Sequence, residues 1–126
     1  MTDILGTALR FHNDRTSIDA SVDQDNPTVR SLIAQLPLEG LEFADNQGLE
    51  KLVRLDQGLD FEGSPASGNR PGDVICSTPR NSIAFWYGPD GFEPREELVH
   101  IGRYDASAQQ LEQLTASPVI AHLVAD

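Results

Sequence analysis

The stretch Gly72 to Gly91, "GDVICSTPRNSIAFWYGPDG", decides the fold class. Val74 to Thr78 and Ser82 to Tyr87 read as two β-strands around a turn that carries Pro79, and a second turn, Gly88-Pro89-Asp90-Gly91, follows. Alternation along the second strand puts Phe85 and Tyr87 on one face and Trp86 on the other. A small barrel fills its interior with side chains, so one face of this strand is core and an aromatic is left outside it. If Trp86 points inward, Phe85 and Tyr87 form an outer aromatic pair for a ligand groove or a dimer contact. If Phe85 and Tyr87 point inward, Trp86 is the outer one.

The same punctuation continues on both sides. Thr7 to Asn13 and Ser17 to Val22 alternate around the turn Asn13-Asp14-Arg15 and predict a hairpin. Asn26 then suits a helix N-cap and Pro27 the first helical position. Val29, Leu32, Ile33 and Leu36 follow at helical spacing until Pro37. Leu38 to Ala44 and Lys51 to Leu55 read as strands, with the turn Asp45-Asn46-Gln47-Gly48 between them. Gln57 to Pro71 is a long loop rich in Gly, Ser, Pro and Asp, of a length that is often functional. After the loop Gly88 to Glu96 comes the strand Leu98 to Tyr104. Ser107 caps a second helix with Leu111 and Leu114 on one face, Pro118 closes it, and Val119 to Val124 reads as a last strand. Eight short strands with two helices and no β-α-β alternation predict one mainly β domain over residues 1–126. Its expected form is a closed, mostly antiparallel eight-stranded barrel, since closure removes exposed strand edges.

Charge and cysteine content narrow the function classes. Nine Lys and Arg against 20 Asp and Glu give a net charge of −11, spread along the chain. That balance opposes nucleic acid and anionic lipid, whose affinity comes mostly from phosphate neutralisation. No apolar run approaches the roughly 18 residues of a membrane span, and the N-terminus lacks the pattern of a signal peptide. Cys76 is the single cysteine, so no intrachain disulfide and no cysteine-cluster metal site exists. Its place in an apolar strand predicts a buried thiol, and the lack of any disulfide fits a reduced, cytoplasmic setting. The three histidines, His12, His100 and His122, fall on separate strands without metal-ligand spacing, and no metal or other cofactor is expected. Gly63-Ser64-Pro65 and Ala66-Ser67-Gly68 miss a nucleophile elbow, and Gly88-Pro89-Asp90-Gly91 lacks the Lys of a phosphate loop.

Several pieces of the chain, in order, resemble the cyclophilin-like fold proteins, a bacterial family of small barrels. The resemblance covers about Ala8 to Leu114. It is carried by Asn26-Pro27-Thr28, Leu36-Pro37-Leu38, Glu62-Gly63-Ser64-Pro65 and Pro71-Gly72-Asp73, then by Pro79 with Ile83-Ala84-Phe85-Trp86-Tyr87, and by Ile101-Gly102-Arg103-Tyr104-Asp105. It implies a cyclophilin-like barrel and leaves the activity open, because one fold hosts many functions. The true cyclophilins are distant relatives and prolyl isomerases. Their Phe-His-Arg, Gly-Phe and Gln-Gly run is matched here by Leu52-Val53-Arg54, Gly58-Leu59 and Glu62-Gly63. The resemblance puts Arg54 in the place of the catalytic Arg, Leu59 and Phe85 in the places of pocket phenylalanines, and Glu62 in that of the Gln. The Trp and His near the last strand fall at about Glu93 and Leu98, so both groups are replaced. A Glu62 paired with Arg54 would occupy the guanidinium that a peptide carbonyl needs.

Three function classes follow. The first is a non-enzymatic domain that binds a small molecule or peptide between the loop Gln57 to Pro71 and the strand Ser82 to Tyr87. Arg54 would be its polar anchor, Phe85 or Tyr87 its apolar wall, and Leu59 and Glu62 further contacts. The second is a weak prolyl isomerase using Arg54, Leu59 and Phe85. The third is a structural module that forms a homo-oligomer through an aromatic patch.

Overall fold

Alternation and turn chemistry lay down strands in the order they can reach each other. In a computed structural model, which describes residues 4–78, 80–89 and 97–124, β1 (Ala8–His12) and β2 (Ser17–Val22) form the expected hairpin, with Phe11 opposite Ile18. Asn13 closes their turn by accepting the Arg15 and Thr16 backbone N–H groups. Helix α1 (Pro27–Gln35) starts as its sequence requires: the Asn26 side chain accepts the Val29 N–H at 2.9 Å, and Pro27 opens the first turn. Pro79 and residues 90–96, Glu93 among them, lie outside the described residues.

The sheet then runs through β3 (Leu38–Leu41), β4 (Ala44–Asn46), β5 (Glu50–Arg54), β6 (Asp73–Ser77), β7 (Ser82–Trp86) and β8 (Leu98–Tyr104). Helix α2 (Ala108–Leu114) and β9 (Val119–Leu123) complete it. A reciprocal capping box of Ser107 and Gln110 starts α2. Every strand pair is antiparallel, in the spatial order β3-β9-β1-β2-β8-β6-β7-β5-β4.

Two details correct the closed eight-stranded barrel. The run Leu38 to Ala44 is two strands, so the sheet has nine, and its end strands β3 and β4 do not pair with each other. The result is an open half-barrel whose edges are consecutive in sequence, joined by Glu42 and Phe43. Phe43 turns inward there and is buried. At the other end of the chain the last strand returns to the first: β9 pairs β1, and the Val124 N–H donates to the Ala8 carbonyl at 3.0 Å.

Apolar side chains at alternate strand positions fill the concave side. Phe11, Phe43, Phe85 and Tyr104 meet edge to face, with Phe85 lying 5.0 Å from both Phe11 and Tyr104. Val29 and Leu32 of α1 and Leu111 and Leu114 of α2 close on the same core. Cys76 is buried within it, and that burial pushes its thiol pKa up. The close approach of β2 to β8 requires Gly102, where a Cβ would stand 2.1 Å from the Ser21 carbonyl oxygen. Next to it β8 bulges: Val74 pairs with Gly102 but Ile75 with His100, leaving Ile101 over.

Candidate functional site

Phe85 belongs to the interior, so Trp86 is the outer aromatic of its strand. Val53, Ile83 and Phe85 point into the main core, whereas Ile75, Ala84 and Trp86 form a second apolar cluster on the outer face. Register aligns that outer face in rows. Leu52, Ala84, Ile75 and His100 make one, and Arg54, Ser82, Ser77 and Leu98 the next. Small residues therefore sit in the middle, at Ser82 and Ala84, and large ones at the margins, at Trp86, Leu98 and Leu49. Such a pattern leaves a depression.

The loop before β6 roofs this depression. The Ser67 N–H donates to the Leu98 carbonyl at 2.9 Å, and the Gly72 N–H to the Trp86 carbonyl at 3.0 Å. Residues 67–72 are thus pinned at both margins, with Asn69 between the pins. The later pin is reinforced from below. Asp73, itself buried, accepts the Arg70 N–H and an Arg103 guanidinium N–H, and Arg103 also donates to the Pro71 carbonyl. His100 stands against the same group, its Nε2 2.7 Å from Asp23 and its Nδ1 3.9 Å from Asp73.

The pocket so formed has a volume of about 450 Å³. Its floor is Ile75, Ser82 and Ala84, with Trp86 and Leu98 as walls and Asn69 in the roof. Two residues that line it, Ser82 and Asn69, bury a polar atom, Oγ and Oδ1, that has no hydrogen-bond partner among the described residues. Buried polar atoms are nearly always paired, so each of these two keeps a hydrogen-bonding capacity that the described side chains leave unused. Charged groups stand at the pocket's ends. Glu50, cross-strand from Trp86, accepts the Asn46 side-chain N–H at 2.8 Å, and Arg80 and Glu97 lie beyond Ser82 and Ser77. Among the described residues no group of three His, Cys, Asp or Glu side chains is placed to hold a metal ion.

The five residues singled out from the sequence do not converge. Arg54 is exposed on β5 and lines another cleft, with Leu38 and Leu52. Among the described residues it forms no ion pair with Asp56 or Glu62. Leu59 lines a third, shallow cleft against Ser31 and Gln35 of α1 and donates its backbone N–H to Asn81. Glu62 is exposed in a turn, and Phe85 is 0% exposed in the core and cannot wall a groove. Tyr87 is half-buried at one end of the barrel, where its hydroxyl donates to Asp45. A pocket does lie between Asn69 of the long loop and strand β7, lined by Asn69, Ser82 and Trp86 and by none of these five residues. The signal for it was the alternate face of that strand, Ser82-x-Ala84-x-Trp86, two small side chains and a large one.

Comparison with known proteins adds the following. The model of the Cyclophilin-like family matches residues 11–123. The solution structure of a hypothetical protein from Archaeoglobus fulgidus superposes with a TM-score of 0.70 at 17% identity, covering 97% of this chain and 98% of that one. At that identity the likeness concerns the fold alone. Comparison with curated proteins gives no match. With the open antiparallel half-barrel and a family match that spans nearly its whole length, the chain belongs to the Cyclophilin-like family.

Proposed function

We propose that this is a non-enzymatic binding domain that holds a small molecule or a short peptide segment in the pocket between residues 67–72 and strand β7. The observation that carries the reading is a pair of buried atoms without a hydrogen-bond partner among the described residues, Ser82 Oγ and Asn69 Oδ1, in two residues that line one pocket of mixed polar and apolar character. A reduced, cytoplasmic setting goes with it, on the buried thiol of Cys76. A second reading, prolyl isomerase, draws only on Arg54, which is exposed and forms no ion pair among the described residues. Leu59 and Phe85, which it also needs, lie elsewhere.

Ser82→Ala separates binding from folding. It removes a buried hydroxyl that has no partner, so stability holds or rises, whereas a ligand loses a hydrogen bond worth about threefold to tenfold in affinity. A fragment collection screened by two-dimensional NMR should give hits that shift Trp86 and Ala84 in the wild type, and the variant should bind them more weakly at undiminished thermal stability. Hits confined to other surfaces, or a variant that melts earlier and binds equally well, would overturn the reading.

A further inference from the structure

His12 and His122 meet on the outer face of the sheet. Leu9 and Phe11 of β1 and Val119 and Ala121 of β9 go to the core, so by alternation Arg10, His12, Ile120 and His122 face out. Register sets Arg10 against His122 and His12 against Ile120, which makes the two histidines diagonal neighbours. Their ring centroids stand 5.0 Å apart, with the ring planes at 84°. The His122 Nδ1 lies 2.9 Å from the Leu123 carbonyl oxygen. A carbonyl only accepts, so Nδ1 carries the proton and the lone pair of the neutral ring is on Nε2. Arg10, beside His122, gives its guanidinium to Asp19 through hydrogen bonds of 2.8 and 3.1 Å, which offsets its charge. The cleft next to His12 also holds the Asp14 side chain, in a chain whose overall charge is −11.

We infer that His12 and His122 chelate one divalent ion of the zinc, nickel or copper class, at a site separate from the pocket over Ser82. Metal–nitrogen bonds of about 2.1 Å at tetrahedral angles put two imidazole centroids on one ion about 5 Å apart, which is the spacing of this pair. Crossed ring planes share a line, and an ion on that line lies in the plane of both rings. The Leu123 carbonyl serves His122 as an outer-shell acceptor serves a metal-bound imidazole: it fixes the tautomer and makes the other nitrogen more basic. Imidazole nitrogens select these ions over Mg²⁺ and Ca²⁺, which take oxygen ligands. Water completes the coordination, since among the described residues no third His, Cys, Asp or Glu joins the pair. Spacing along the chain hides the pair, because it is the pairing of the first strand with the last that brings the two rings together.

Calorimetry and NMR on the untagged whole chain, with the chlorides of Ni²⁺, Cu²⁺, Zn²⁺ and Mg²⁺ added separately, test the assignment. One Ni²⁺ ion should bind per chain and broaden the signals of His12 and His122 before any others. Cu²⁺ should bind more tightly than Ni²⁺ or Zn²⁺, and Mg²⁺ should leave both rings unchanged. Once one ring holds the ion the other acts intramolecularly, so His12→Gln and His122→Gln should each weaken Ni²⁺ binding by at least about tenfold. Excess Ni²⁺ should raise the melting temperature of the wild type by more than that of either variant, each compared with its own metal-free value. Equal Ni²⁺ affinity in the wild type and either variant, or broadening that starts at the carboxylates of the acidic surface, would overturn the chelate.

Discussion

Lys51 shows how one residue can be fixed by its neighbours. It is the only lysine of the chain, faces inward beside Phe85, and leaves its side chain 3% exposed. Its Nζ stands 3.0 Å from both Asp45 and Glu112, so β4 and α2 are tied across the end of the barrel. Burial works against its charge, but the two carboxylates outweigh that and raise its pKa. Asp45 moves the other way. The Tyr87 hydroxyl, then Lys51 and the Gly48 N–H, hold its pKa down to about 2. A carboxyl titrating lower in the folded chain than its unfolded value of about 4 stabilises fully above that value and loses the contribution as pH falls towards 2. Urea unfolding between about pH 5 and pH 2 should therefore show a steeper stability loss in the wild type than in Asp45→Asn. Parallel slopes would mean that Asp45 gains nothing from its partners. The residue-scale misses at the site have a physical cause as well. Charge and resemblance select Arg54 and Glu62, whereas a serine inside a strand looks ordinary until its neighbours are known to leave it without a partner.

At the scale of elements, pattern was legible and partnership was not. The hairpin of β1 and β2, both helix caps, and strands β6, β7 and β8 all follow from alternation, capping residues and turns. The run Leu38 to Ala44 did not divide on reading, because alternation reports which face a side chain takes and not which strand the backbone bonds to. Leu41 and Phe43 both go to the core, but Leu41 is on a strand paired with β9, and Ala44 begins one paired with β5. The contact between β2 and β8 is equally long-range, and it makes a sharp prediction at Gly102. A Cβ there meets backbone atoms of Ser21 and Val22, which cannot rotate aside. Gly102→Ala should cost roughly 1–3 kcal/mol, read as a lower urea midpoint; an unchanged midpoint would mean that β2 sits farther from β8 than described.

For the whole molecule, family membership constrains architecture far more than chemistry. The half-barrel persists at 17% identity to a solved structure, and the groups that prolyl isomerisation would need are dispersed over it. The wild type should therefore leave the isomerisation of a short X-Pro peptide at its uncatalysed rate in the cold, and Arg54→Ala should do the same. Acceleration by the wild type that the variant loses would make the chain an enzyme.

The bond from Val124 to Ala8 has a topological consequence. First and last strands are sheet neighbours, and the sheet's two edges are consecutive strands, β3 and β4. Where the polypeptide is cut is thus separable from where the sheet is open. If β9 were spliced to β1 and the backbone severed instead at the exposed turn of Gln47 and Gly48, every ladder would survive in its present order. Such a permuted chain would differ only in which end the ribosome makes first.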